Sequence, residues 1–76
     1  MTLQELVDSI SEGIVEVYSF ADLFGKLDIK DGKIISKHFE LEKYENITSC
    51  PVLKIALKVE LDSYDPKPYL EVNIKY

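Results

Sequence analysis

A chain of 76 residues makes one domain with a small core, because a domain near this size buries only about 60% of the surface it exposes unfolded. A deep enclosed active site would be costly to it. Fourteen acids against nine basic residues give a net charge of −5, and every basic residue is lysine. The absence of arginine removes the side chain best suited to bidentate recognition of phosphates and base edges, which argues against direct nucleic-acid binding.

The single cysteine, Cys50, excludes an internal disulfide. The opening Met-Thr-Leu-Gln-Glu lacks the basic and apolar regions of a signal peptide, and no apolar run approaches the roughly 20 residues that span a bilayer. A cytoplasmic protein without membrane contact is therefore expected. In that compartment the sequon Asn46-Ile47-Thr48 is accidental.

Thr2-Leu3-Gln4-Glu5 has the form of a capping box, which satisfies the free donors of a helix start. Leu3, Val7, Ile10, Ile14, Val17, Ala21 and Phe24 then recur at alternating spacings of four and three, predicting one amphipathic helix over about 2–24, stopped by Gly25. Glu5, Asp8, Glu12, Glu16, Ser19 and Asp22 keep a similar spacing on another side. A competing reading stops the helix at Gly13, because Ile14-Val15-Glu16-Val17-Tyr18 is rich in strand formers, and lets Ser19-Phe20-Ala21-Asp22 cap a second short helix up to Gly25. The spacing over seven positions favours the continuous helix, with a break near Gly13 as the alternative.

Lys26-Leu27-Asp28-Ile29 alternates as a strand over about 26–30, and Asp31-Gly32 is a tight hairpin turn. The next strand, about 33–43, sets Ile35, Phe39 and Leu41 against Ser36, His38, Glu40 and Glu42. Lys37 falls on the apolar side, which signals a bulge or an edge strand. After a loop, Leu53, Ile55, Leu57, Val59 and Leu61 alternate with Lys54, Lys58 and Glu60, and 52–61 is expected to be the central strand. Asp62 to Pro68 must turn. Leu70, Val72, Ile74 and Tyr76 then mark a last strand, 69–76, hairpinned onto the central one with Lys58 opposite Glu71 and Lys54 meeting Lys75. The sum is an α+β domain: an N-terminal helix on a three- or four-stranded antiparallel meander.

Few residues suggest chemistry. His38, Glu40 and Glu42 share one side of a strand, but one histidine and two parallel neighbours do not converge as metal ligands, and no metal or other cofactor is expected. Cys50 would need a base to become a nucleophile, and only His38 is available. Asp28, Asp31 and Gly32 lack the ligand alternation of a calcium loop. No phosphate-binding glycine loop, zinc spacing or triad pattern occurs, so the chain reads as a non-enzyme.

Two surfaces remain. The acids Glu5, Asp8, Glu12, Glu16 and Asp22 precede the first lysine, Lys26, while residues 26–76 carry nine acids and nine lysines. All the net charge therefore sits in the first third, and an acidic helix stripe could dock on a partner protein's basic surface, even one that normally holds nucleic acid. An inhibitor or regulator of phage or mobile-element type would work in this way. A second contact patch is Tyr64, Asp65 and Tyr69 around the proline turn. The alternative is a structural protein that assembles as a homodimer through its helix stripe or an edge strand.

Overall fold

The computed structural model describes residues 1–39, 46–59 and 66–76. In chain order it forms a helix α1 (Leu3–Asp8), strands β1 (Glu12–Ser19), β2 (Asp22–Lys30) and β3 (Lys33–Phe39), a 3-10 turn at Ile47–Ser49, and strands β4 (Val52–Val59) and β5 (Pro68–Ile74). The strands make one sheet in the order β3-β2-β1-β5-β4. All neighbours are antiparallel except β1 and β5, which run parallel. The α+β class holds, and the sheet is five-stranded and mixed rather than a three- or four-stranded antiparallel meander.

The long helix is the main correction. The capping box is present, with the Thr2 hydroxyl accepting from the Glu5 backbone and Glu5 accepting from the Thr2 N–H at 3.1 Å, but the helix lasts only six residues. The strand-forming run Ile14–Tyr18 wins over the helical spacing, and β1 begins at Glu12. No second helix forms over residues 19–25. Residues 20 and 21 close a two-residue hairpin, Ser19 pairs with Asp22, and β2 starts there rather than at Lys26.

So short a helix cannot stand alone. It is held by Leu3, Leu6 and Val7, all buried against the sheet and against Ile47, each contributing on the order of 1.5–3 kcal/mol of burial. Backbone bonds from Leu3 N to Cys50 O (3.0 Å) and from Val52 N to Met1 O (2.8 Å) fasten the start of the chain to the entry of β4.

The central strand is β1, not the predicted 52–61. Val15 and Val17 of β1, Leu27 and Ile29 of β2, and Val72 and Ile74 of β5 fill the core on the face that α1 covers. β4 lies at one edge of the sheet and β3 at the other. β4 does pair with β5 and shares its apolar face, as Leu57 meets Leu70 and Ile55 meets Val72. The register is two residues from the expected one: Glu71 faces Ala56, Lys58 faces Tyr69 and Lys54 faces Asn73.

The β1–β2 and β2–β3 hairpins turn on left-handed residues. Asp31 (φ 55°) and Gly32 (φ 73°) form the expected Asp-Gly turn, where the glycine is needed twice, since a Cβ at position 32 would also lie 3.3 Å from the Asp8 carbonyl oxygen. The β1–β2 turn makes the same demand of Phe20 (φ 51°) and Ala21 (φ 68°), neither of them a residue that favours this region.

Candidate functional site

The five acids of the expected stripe do not share a surface element. Glu5 and Asp8 stand on α1, Glu12 opens β1, Glu16 lies in the middle of β1, and Asp22 opens β2 beyond the hairpin. The Glu5 carboxyl is held below its ordinary value by the Thr2 backbone N–H first and the Thr2 hydroxyl second, so it is engaged in the cap. Asp8 accepts from the Gln4 side chain at 2.8 Å.

Glu16 belongs to the sheet face opposite the core. There the Tyr18 hydroxyl donates to Glu16 Oε2 at 2.9 Å, and Lys26 Nζ lies 3.9 Å from Oε1. Donation to Glu16, followed by burial and the Glu16 charge, pushes the Tyr18 pKa up to about 12. Glu71 is the partner of Glu16 across the parallel pair and makes no ion pair among the described residues. Two carboxylates thus stand side by side at the middle of the sheet, and Lys26 flanks Glu16 on the side away from Glu71. Tyr69 of the expected second patch lies half-buried on this face, whereas Tyr64 and Asp65 fall outside the described residues.

The chemical candidates are separated. His38 on β3 bonds Asp28 at 2.8 Å and Ser36 at 3.1 Å, an exposed polar row on a solvated face. Glu40 and Glu42 lie outside the described residues. Cys50 precedes β4, on the far side of the sheet from β3, and four strand spacings of about 4.8 Å put roughly 19 Å of sheet between those strands. The Cys50 thiol faces the Asn46 carbonyl at 3.8 Å. Nowhere among the described residues do three or more His, Cys, Asp or Glu side chains converge as metal ligands. No described helix is long and apolar enough to cross a membrane.

The two sheet edges differ sharply. β3 is blunted in the ways natural edges are: a bulge between Ile34 and Ser36 throws Ile35 outward, and Lys37 comes into register with Leu27. The bulge also makes Ile34, rather than Ile35, the residue opposite Ile29. β4 carries its own bulge at Leu53, between Val52 and Lys54, but runs regularly from Lys54 to Val59 with no lysine on the core side. Leu53, Ile55, Leu57 and Val59 are all exposed, Leu57 to 70% and Leu53 to 63%. Among the described residues, only Met1–Leu3 pairs along the outer side of this strand, at Pro51. A hollow of about 160 Å³ lined by Ile10, Gly13, Leu57, Pro68 and Leu70 runs from the row toward the core, where α1 does not reach.

Comparison with protein-family models, with curated proteins and with solved structures finds no match. What can be read of function therefore comes from the surface itself. Sequence reasoning missed the β4 row because its alternation is the same whether the apolar side is covered or bare. The one usable signal was the length of the helix: six residues cannot cover a five-stranded sheet.

Proposed function

We propose that this chain is a small non-enzymatic protein-interaction module that engages its partner through β4, the partner adding a strand to the sheet. One observation carries the reading. Past its own bulge at Leu53, the edge strand β4 presents Ile55, Leu57 and Val59 exposed in a row on the core side, while the opposite edge has an inward-register lysine as well as a bulge. Strand addition suits such a surface, because main-chain hydrogen bonds supply affinity and alternate side chains supply selectivity. Natural proteins rarely leave an apolar edge of this kind bare, since it invites unwanted pairing.

Docking of an acidic helix on a basic partner surface is the weaker reading. Its five carboxylates are divided among α1, β1 and β2, and Glu16 faces Lys26, so no continuous acidic stripe meets a groove.

Affinity capture separates the two. The tagged protein and two variants, Leu57→Lys and the triple reversal Glu5→Lys, Asp8→Lys, Glu12→Lys, are used as baits in source-cell lysate supplemented with untagged chain. Edge recognition predicts a partner that Leu57→Lys loses and the triple reversal keeps, at low and high salt alike. A partner kept by Leu57→Lys and lost by the charge reversal would overturn the edge reading in favour of the acidic one.

A further inference from the structure

We infer that the partner strand is β4 of a second copy, paired antiparallel about a two-fold axis that passes by Leu57; this rests on the edge reading above. Self-pairing of an edge strand is isologous, so whatever each copy offers must complement itself. The apolar row occupies odd positions, and a two-fold axis perpendicular to the sheet keeps both rows on one face when odd residues meet odd residues.

Registers centred on Lys54 or Lys58 would set that lysine against its own copy, and the side chains choose among the remaining three, centred on Ile55, Ala56 and Leu57. An axis at Ala56 would set Lys54 against Lys58 of the partner subunit twice, an unfavourable like-charge pairing. An axis at Ile55 would bring the partner strand up to Pro51 and Val52, where Met1–Leu3 already occupies the outer side. An axis at Leu57 avoids both. It pairs Leu57 with its own copy, Ile55 with Val59 of the partner subunit, and Ala56 with Lys58 of the partner subunit.

Charge supports that register. Glu71 is half-buried beside Glu16, makes no ion pair among the described residues, and faces Ala56 across β5 and β4. Its own Lys54 and Lys58 stand opposite Asn73 and Tyr69 instead. With the axis at Leu57, a lysine of the second copy lies in the same cross-strand row, two strand spacings or about 10 Å from Glu71. Only the small Ala56 side chain stands between them, so a lysine and a glutamate together span the gap. The dimer thus gives the second carboxylate what Lys26 gives the first. It also covers Leu57, the most exposed of the row, with its own counterpart.

The test combines sedimentation equilibrium, from micromolar to near-millimolar chain, with cysteine cross-linking in a Cys50→Ser background. Directly opposed residues of an antiparallel pair have Cα atoms about 4.5–5.5 Å apart, within disulfide range. The expected results are a concentration-dependent dimer, a disulfide formed by Leu57→Cys on mild oxidation but not by Leu53→Cys, and a dimer dissociation constant at least about tenfold weaker in Leu57→Lys. Circular dichroism of Leu57→Lys at low concentration checks that the exposed substitution leaves the monomer folded. A chain that stays monomeric at every concentration overturns self-pairing. If Leu57→Lys still loses a different protein in the capture experiment, the edge reading survives that result. A dimer that Leu57→Lys leaves intact and that Leu57→Cys does not cross-link overturns both, by placing the interface elsewhere.

Discussion

Replacing Phe20 by Asn and Ala21 by Gly should make this protein more stable. Ser19 pairs with Asp22 across a two-residue turn in which both central residues have positive φ, 51° and 68°. That geometry matches the twist of the strands, and it costs an ordinary L-residue about 1–2 kcal/mol per position. Asn tolerates the region and Gly adopts it freely, although the added freedom of Gly in the unfolded chain returns about 0.4–1 kcal/mol of the gain. Little burial is lost in exchange, because Phe20 is 78% exposed.

The net expectation is a gain of about 1–2 kcal/mol. For a domain of this size it corresponds to a rise in Tm of about 5–15 °C. Thermal and urea unfolding, followed by circular dichroism at one low chain concentration so that association does not contribute, measure it. The converse control is Gly32→Ala, which puts a Cβ into the left-handed region and 3.3 Å from the Asp8 carbonyl oxygen, and should cost about 1–2 kcal/mol. An unchanged or lowered Tm in the Asn-Gly variant would refute the reasoning, since it would mean that the two left-handed residues impose no cost.

Three further outcomes follow from single contacts. Thr2→Ala removes the helix cap and should cost about 1 kcal/mol; by carboxyl NMR titration it should also raise the Glu5 midpoint part of the way to 4.5, the backbone N–H at position 2 remaining. Because the folded Glu5 pKa is lowered, its stabilising contribution is present above pH 4.5 and lost as the pH falls through the lowered value. Tyr18 should be a late tyrosine to ionise in an ultraviolet titration, near pH 12, and Glu16→Gln should bring it back toward 10. With a raised folded pKa, that contribution is complete below pH 10 and lost as the pH rises through about 12; an unshifted Tyr18 in the parent protein would contradict the bond to Glu16. Ser19 is buried with no hydrogen-bond partner for its hydroxyl among the described residues, so Ser19→Ala should be neutral or stabilising by about 1 kcal/mol, and a clear loss in urea unfolding would reveal a partner.

The parts of this fold legible in the sequence were those fixed by local chemistry. The Thr2–Glu5 capping box, the Asp31-Gly32 turn and the pairing of β4 with β5 each depend on a few neighbouring residues. Lys37 pointed to a bulge or an edge, and β3 is an edge strand whose bulge lies two residues earlier, at Ile35. The stretch from Ile10 to Phe24 was not legible, because its apolar residues fit both a helix and a strand. Val15 was the discriminating residue: it lies off the helical stripe, yet with Val17 and Ser19 it makes one face of a strand.

The sheet order was hidden for a different reason. Alternation reveals that one side of a strand is apolar but carries no record of what covers it, and nothing local reveals that β5 lies between β4 and β1 in a parallel pairing. The two errors were linked. A long helix would have covered β4 and made it a buried strand; a six-residue helix leaves its row exposed, and the candidate surface moved from the acids to Leu53, Ile55, Leu57 and Val59.

Amide hydrogen exchange over Val52–Val59, at low and at high chain concentration, tests the claim for the β4 edge most directly. Pairing of this edge predicts that alternate amides between Ile55 and Val59, those turned away from β5, exchange quickly in dilute protein and become protected as the concentration rises, with no change along β3. Fast exchange of those amides at every concentration, with new protection appearing on α1 instead, would contradict it.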